Sequence, residues 1–179
     1  MNYLQPQLKA KALIISGERI LCQIKSVNGV RYLSLPGGTQ EMGETLEATL
    51  LRECDEEIGA SVTIDELSFI CPHRKSFSTP DRQGREKLEF VFACQLPEHY
   101  MPRNGPFPDA QQVDVAWIKI DDLSNQPCLP PQLPDALAGW LGGVSQTYWP
   151  ERQTTGTCKG GKRQYKKQLA AHDLMLMRA

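Results

Sequence analysis

One segment, from Gly38 to Ala60, limits what this chain can fold into more than any other part of the sequence. It reads GTQEMGETLEATLLRECDEEIGA. The segment predicts a helix from Glu44 to Ile58, because a stripe about 100° wide holds the apolar side chains Leu50, Leu51, Cys54 and Ile58. Gly59 follows directly, and a glycine can end a helix in the left-handed conformation. We therefore expect a helix that packs on one side and stops sharply.

The same helix carries a second stripe, which is acidic. Glu53, Glu56 and Glu57 are spaced i, i+3 and i+4, so their side chains lie close together on the helix surface. Acids packed this closely repel one another unless a positive charge lies among them. Carboxylate oxygens suit Mg²⁺ or Mn²⁺, which proteins hold with a few carboxylates, water and substrate phosphates. The pattern predicts a divalent metal and phosphate chemistry, with a solvated acidic helix face as the alternative.

Two neighbouring features of the segment suit such a site. Arg52 is predicted to orient one of the acids, either Glu44 or Glu53, through a bidentate contact. The turn at Gly37 and Gly38 lets the backbone approach a metal ion or a phosphate closely.

The complete segment matches the pattern G-x5-E-x7-R-E-U-x-E-E-x-G-U, where U is usually a bulky aliphatic residue. All seven fixed positions are filled, by Gly38, Glu44, Arg52, Glu53, Glu56, Glu57 and Gly59. A chance match has a frequency on the order of one in a billion per starting point. This pattern is the Nudix box, and the chain resembles the Nudix hydrolases over residues 8–145. Cys54 and Ala60 depart from the pattern, since each stands where an aliphatic residue is usual.

The resemblance implies an α/β (α+β) fold, a Nudix-type α/β/α sandwich with a mixed β-sheet. It implies Mg²⁺-dependent hydrolysis, with Mn²⁺ as a substitute, of a nucleoside diphosphate linked to another moiety. Such substrates include nucleoside and deoxynucleoside triphosphates and ADP-ribose. By position, the implied metal ligands are Glu53, Glu56, Glu57 and the Gly38 carbonyl. The implied catalytic residues are Glu53, Arg52 and Glu44. Glu53 acts either as a metal ligand or as base or orienter, and Glu44 and the Gly38 carbonyl could complete the metal coordination.

Four residues outside the box are predicted to contact substrate. The family often recruits one more acid, and Glu89 and Asp114, each on a predicted strand, are the candidates; solvent-facing strand acids are the alternative. Arg74 and Lys75 belong to a basic group around one predicted hairpin, together with His73, Arg82, Arg85 and Lys87. This group could face the substrate phosphates, or it could be a charged, solvated hairpin tip.

The rest of the chain predicts strands on both sides of the helix, which is typical of a mixed α/β domain. The predicted strands are Lys9 to Ser16, Arg19 to Lys25, Arg31 to Leu35, Leu67 to Phe77, Leu88 to Gln95 and Val113 to Ile120. Asn28 and Gly29 predict a two-residue hairpin, because both positions of a type I′ turn need a positive φ. A short helix is predicted from Asp135 to Leu141. Phe90 and Phe92 are expected in the core rather than in a stacking surface.

Charge divides the chain into a predicted Nudix domain, 1–150, and a basic, flexible tail, 151–179. The first part carries 13 Lys and Arg against 19 Asp and Glu, and the tail carries 7 against 2. A net acidic domain makes nucleic-acid binding unlikely in general, since that binding depends on phosphate neutralisation. Two alternatives to the small-molecule enzyme stay open: an RNA 5′-end pyrophosphohydrolase that uses Lys159 to Lys167, and a nucleotide-sensing module without turnover.

The six cysteines are scattered singly, which predicts reduced thiols. No apolar run approaches the roughly 20 residues that span a bilayer, and the N-terminus lacks the order of a signal peptide. We therefore expect a cytoplasmic protein that binds no membrane, and a homodimer remains open. Markers of individual substrates are missing; the proline typical of ADP-ribose hydrolases would fall at Ser76.

Overall fold

Two β-sheets and two α-helices make up the part of the chain that the structure, a computed structural model, describes: residues 5–74 and 86–150. The first half holds the strands β1 (Gln7–Leu13), β2 (Ile15–Ser16), β3 (Arg19–Val27) and β4 (Val30–Ser34), followed by helix α1 (Leu46–Ile58). The second half holds β5 (Thr63–Arg74), β6 (Glu86–Gln95), β7 (Gln112–Lys119), a 3₁₀ helix (Ile120–Asn125), β8 (Cys128–Leu129) and α2 (Leu133–Leu141).

The two sheets have different strand orders. One has the order β1-β6-β5, with β1 parallel and β5 antiparallel to β6. The other has the order β2-β3-β4-β8, and β7 also pairs with β3. The turn between β3 and β4 has Asn28 at φ 51° and Gly29 at φ 80°, which confirms the predicted hairpin. Parallel and antiparallel pairs occur together, so the predicted mixed α/β architecture is confirmed.

Helix α1 packs on one face of the sheets. Its side chains Leu50, Cys54 and Ile58 are fully buried against Ala10 and Ala12 of β1. The prediction that Leu51 joins this stripe is wrong, since Leu51 is 43% exposed. The buried face is centred near Leu50, and Leu51 lies about 100° away at its edge.

An acid also lies within that buried face. Glu57 lies only about 20° from Leu50 around the helix, and it is 4% exposed. The acidic stripe is therefore not fully separate from the packing stripe. This position places the Glu57 carboxylate between α1 and the sheets, where a polar group requires partners.

The second core cluster lies under α2. Leu133, Ala136 and Leu137 of α2 pack there with Leu13 of β1 and Phe69 of β5. The prediction for the two phenylalanines is confirmed: Phe92 is buried in the cluster under α1, and Phe90 packs against it.

Five cysteines lie in the described residues, and all five are free, as predicted. Burial raises the pKa of Cys71 and of Cys94 to about 12, so these thiols stay protonated at neutral pH. The sixth, Cys158, lies outside the described residues, as does the whole predicted tail. In the described ranges, no helix has the length and apolar character needed to cross a membrane.

Candidate active site

The turn at Gly37 and Gly38 is held against β1 by backbone hydrogen bonds. Ala12 N donates to Pro36 O at 2.9 Å, and Ala10 N donates to Gly38 O at 3.1 Å. Gly37 has a φ of 115°, and a Cβ there would lie 2.2 Å from the carbonyl oxygen of Ala10. Both the conformation and the close approach therefore require glycine at this position.

Helix α1 begins and ends at capping residues. The side chain of Thr45 accepts a hydrogen bond from Ala48 N at 3.1 Å, which satisfies one free N–H of the first turn. Gly59 ends the helix at φ 61° and ψ 39°, so the predicted left-handed cap is confirmed. These caps fix the helix register and hence the direction of its acids.

Arg52 is the centre of an ion-pair network around the start of the box. Its Nε donates to Glu44 Oε1 at 2.6 Å, and its Nη2 donates to Glu44 Oε2 at 3.0 Å and to Thr39 O at 3.3 Å. Its Nη1 lies 3.2 Å from an oxygen of both Glu53 and Glu56. The sequence predicted that Arg52 orients either Glu44 or Glu53, and Arg52 contacts both.

Glu44 receives three kinds of donor. Hydrogen bonds from the Arg52 guanidinium, from the backbone N–H of Glu41 and from the Thr49 hydroxyl lower the pKa of Glu44 to about 2. The Thr49 hydroxyl lies 2.7 Å and the Glu41 nitrogen 3.0 Å from Oε2. Glu44 is thus ionised throughout the neutral range.

Glu53 lies directly against the Gly38 turn. A Cβ added to Gly38 would lie 2.1 Å from Glu53 Oε1 and 2.4 Å from Oε2. Burial raises the pKa of Glu53, and the negative charge of Glu57 raises it further, although Arg52 and Lys11 oppose this. The Glu57 carboxylate is therefore close enough to disfavour the charged form of Glu53.

Glu57 is surrounded by N–H donors. Gly37 N donates to its Oε2 at 2.9 Å, and the Gln23 side-chain amide donates to the same oxygen. The Lys25 ammonium lies 3.4 Å from Oε1 and also donates to Asp109 Oδ2 at 2.9 Å. This side chain joins α1, the glycine turn and β3 at one point.

A buried lysine lies under the glycine turn. Lys11 is 2% exposed, and its ammonium donates to Leu35 O at 3.0 Å and to Gly37 O. Burial lowers the pKa of Lys11 to about 8, and the positive charges of Lys9 and Lys25 lower it further. Lys11 thus binds the carbonyl oxygens of this segment, while the Glu57 carboxylate binds the N–H of Gly37.

The sequence reasoning missed these residues of the strands, although a signal was present. Polar side chains recur at every second position of two apolar strands, in KAKAL of β1 and in CQIK of β3. Side chains two apart in a strand point to the same face. The residues found this way are Lys9, Lys11, Gln23 and Lys25.

The two acids predicted outside the box lie in different environments. Glu89 of β6 is 2% exposed, is registered between Lys9 and Cys71, and has Oε1 3.8 Å from His73 Nε2. Asp114 of β7 is exposed, and its Oδ1 accepts the N–H of Val115 at 2.8 Å. Val115 packs under α1, so its neighbour Asp114 points to the opposite face of the sheet.

Most side chains of the predicted basic group lie outside the residues that the structure describes. Arg74 is the last residue of β5, and its side chain is not among those described; Lys75, Arg82 and Arg85 fall between the described ranges. His73 is buried at 1% exposure, and it is registered opposite Lys87. The role of Arg74 and Lys75 in substrate binding stays a prediction.

The acids of α1 suit a divalent cation by their chemistry. Glu53 and Glu57 supply carboxylate oxygens in a partly buried place where the charge of Glu57 disfavours the charged form of Glu53, and a cation would relieve that repulsion. In the present arrangement, no three His, Cys, Asp or Glu side chains within the described residues converge on one point. Instead, Glu57 pairs with Lys25, and Glu53 and Glu56 both pair with Arg52.

Known proteins share both this sequence pattern and this fold. A sequence model of the NUDIX domain matches residues 6–139. A curated relative, "Nucleoside triphosphatase NudI" of Klebsiella pneumoniae, is 27% identical over 115 residues, which cover 61% of this chain and 78% of the relative.

Solved structures agree on the fold. A NUDIX hydrolase from Nitrosomonas europaea has a TM-score of 0.61 at 21% identity, covering 80% of this chain and 93% of the other. A MutT protein from Methanosarcina mazei also has a TM-score of 0.61, at 16% identity, covering 81% of this chain and 100% of the other.

The chain belongs to the Nudix family, as the sequence predicted. It is a Nudix hydrolase, an enzyme that acts on pyrophosphate bonds. Members of this family typically depend on a divalent metal ion.

Proposed function

We propose that this enzyme is a Mg²⁺-dependent pyrophosphohydrolase of nucleoside triphosphates, with Mn²⁺ as a substitute ion. The observation that carries the proposal is the contact of the Glu53 carboxylate with Gly38, next to the buried carboxylate of Glu57. This places two acids at a backbone turn that only glycine can form. A curated relative named as a nucleoside triphosphatase supports the choice of substrate.

The residues that would hold the metal are Glu53, Glu56, Glu57 and the carbonyl of Gly38. When bound, the ion would neutralise phosphate charge and lower the pKa of the attacking water. The Gly38 carbonyl already accepts one hydrogen bond from Ala10 N, and a carbonyl oxygen has a second lone pair.

The chain's own side chains have separate tasks in this proposal. Arg52 would orient the acids, since it donates two hydrogen bonds to Glu44 and its Nη1 contacts both Glu53 and Glu56. Glu53 either binds the ion or takes the proton of the attacking water; its raised pKa suits proton acceptance. Substrate contacts by Glu89, Asp114, Arg74 and Lys75 are part of the proposal, and Glu89, which is buried beside Lys9, has the most support.

The test is a substrate panel with the purified protein and its Glu57→Gln variant. The panel contains nucleoside and deoxynucleoside triphosphates, ADP-ribose, dinucleoside polyphosphates and a 5′-triphosphate RNA, each with and without Mg²⁺. We expect turnover of a nucleoside triphosphate to the monophosphate and pyrophosphate, and a loss of at least about 100-fold in the variant, as for removal of a group needed in the transition state.

Glu47→Gln is the matched control, because Glu47 is an exposed acid in the first turn of the same helix. It should keep wild-type activity. Full activity of a folded Glu57→Gln protein would refute the proposed role of the acids. Preference for ADP-ribose or RNA would refute the substrate, and tight binding without turnover would favour the nucleotide-sensing module.

A further inference from the structure

Lys9 is a partly buried cation beside the proposed site. It lies on β1, where it forms an isolated antiparallel bridge with Thr39, the residue after Gly38. Its position in the strand is two residues from Lys11, so both side chains leave β1 on the same face. The backbone of Lys9 therefore pairs with the residue that follows Gly38, the glycine in contact with Glu53.

The ammonium of Lys9 has no hydrogen bond and no ion pair within 4 Å to any of the residues the structure describes. Burial lowers its pKa, Lys87 and Lys25 lower it further, and Glu89 and Glu57 act in the opposite direction. Lys9 is only partly buried, so water still reaches its ammonium, and an anion could take the place of that water. The other lysines near this site have direct partners: Lys11 donates to two carbonyl oxygens, and Lys25 pairs with two carboxylates.

Several positive charges thus come together on three strands, two from one sheet and one from the other. Lys9 and Lys11 come from β1, Lys25 from β3, and Lys87 from β6. The charge of Glu57, the buried acid of α1, acts on Lys9 as well as on Lys25. An anion bound at the acids through a metal ion would lie in the field of Lys9.

From this arrangement we propose that Lys9 binds a phosphate oxygen of the substrate and so determines affinity for the polyphosphate chain. The inference rests on the proposed function, because phosphate is the anion which that function brings to this place. Glu89, its neighbour across the β1–β6 pair, would orient the ammonium. Lys9 would contact the ground state and the transition state alike, so its removal should raise KM more than it lowers kcat.

The experiment measures binding of inorganic tripolyphosphate in the presence of Ca²⁺, by calorimetry, to the full-length protein. This probe carries the phosphates without a base or sugar, so the identity of the nucleotide does not matter. We expect Lys9→Met to weaken binding about 10- to 100-fold, the range for loss of a hydrogen bond to a charged group. With the best nucleotide of the panel, KM should rise by a similar factor while kcat changes less than about threefold.

Lys119→Met is the matched control, since Lys119 is exposed at the end of β7 and is registered opposite Arg19. It should bind tripolyphosphate like the wild type. Lys9→Arg keeps the charge and should bind more tightly than Lys9→Met, which a merely structural role would not produce. Thermal unfolding of each variant checks that it is folded.

Two results would overturn the inference: wild-type affinity in a folded Lys9→Met protein, or no binding of tripolyphosphate by the wild type. A failure of the proposed function can be distinguished from a failure of this inference. In the first case no nucleotide is hydrolysed, and the tripolyphosphate measurement still tests the role of Lys9.

Discussion

Adding one methyl group to the glycine turn should separate the fold from the chemistry. Gly38→Ala places a Cβ 2.1 Å from Glu53 Oε1, and an ordinary contact needs at least 3.4 Å. The backbone at Gly38 lies outside the left-handed region, so alanine causes no conformational strain there. The overlap is with the end of a side chain, and Glu53 can relieve it by moving about 1.3 Å or more.

Such a movement should cost activity and little stability. A misplacement of about 1 Å in a catalytic arrangement costs about 100-fold in rate. We therefore expect kcat/KM of Gly38→Ala to fall at least about 100-fold, with a melting temperature within about 3 °C of the wild type, which is roughly 1 kcal/mol for a chain of this size.

Gly37→Ala is the matched comparison. Its φ of 115° is strained for alanine, and the added Cβ would lie 2.2 Å from Ala10 O, a backbone atom that cannot turn aside. The strain and the overlap together should cost about 3 kcal/mol or more, or about 6–12 °C in melting temperature. Steady-state kinetics and calorimetric melting curves measure both variants. Near-wild-type kcat/KM in Gly38→Ala, or equal destabilisation by the two substitutions, would refute the reasoning.

Two further predictions concern pH. The pKa of Glu44 is lowered to about 2 in the folded state from an ordinary 4.5, so the stability that its ion pair with Arg52 contributes is complete above about pH 4.5 and is lost as pH falls towards 2. Denaturant unfolding in EDTA should therefore show that Glu44→Gln loses less stability over this range than the wild type. Equal losses would contradict this prediction. The pKa of Lys11 is lowered to about 8 from 10.5, so the unfolded chain binds more protons than the folded chain between these two pH values. The stability of the wild type relative to Lys11→Met should therefore increase from pH 8 to pH 10.5. A stability difference that stays constant would show that burial does not destabilise the ammonium.

The helix and its turn could be predicted from the sequence because their signals are local. Gly59 and the apolar spacing of α1 lie within one segment, and Asn28 with Gly29 defines a turn by its own φ requirements. The burial of Glu57 could not be predicted from the local sequence. It depends on which part of the apolar stripe the sheets cover, and this is set by β1 and β3, far away in the chain.

The donors to the site were missed for a related reason. Gln23 and Lys25 reach Glu57 only because β3 lies beneath the C-terminal half of α1. The alternation of polar and apolar residues in β1 and β3 predicts that one strand face is polar, but solvent is the usual explanation of a polar strand face. Only the packing of α1 and the glycine turn over that face shows that it is enclosed.

The C-terminal end of α1 shows how a distant loop supports the acids. The last turn has no basic residue to offset its free carbonyl groups. The loop before β7 satisfies them instead: Phe107 N donates to Glu56 O and Gly105 N to Glu57 O, both at 2.9 Å, and the Tyr100 hydroxyl donates to Ile58 O at 2.9 Å. Gly105 has no room for a side chain, since a Cβ would lie 2.4 Å from Glu56 O. This loop binds the backbone carbonyls of Glu56 and Glu57, so its conformation helps to fix the backbone from which their carboxylates project. Substitutions in the loop should therefore alter metal and substrate binding, although the loop residues contact neither the metal nor the substrate.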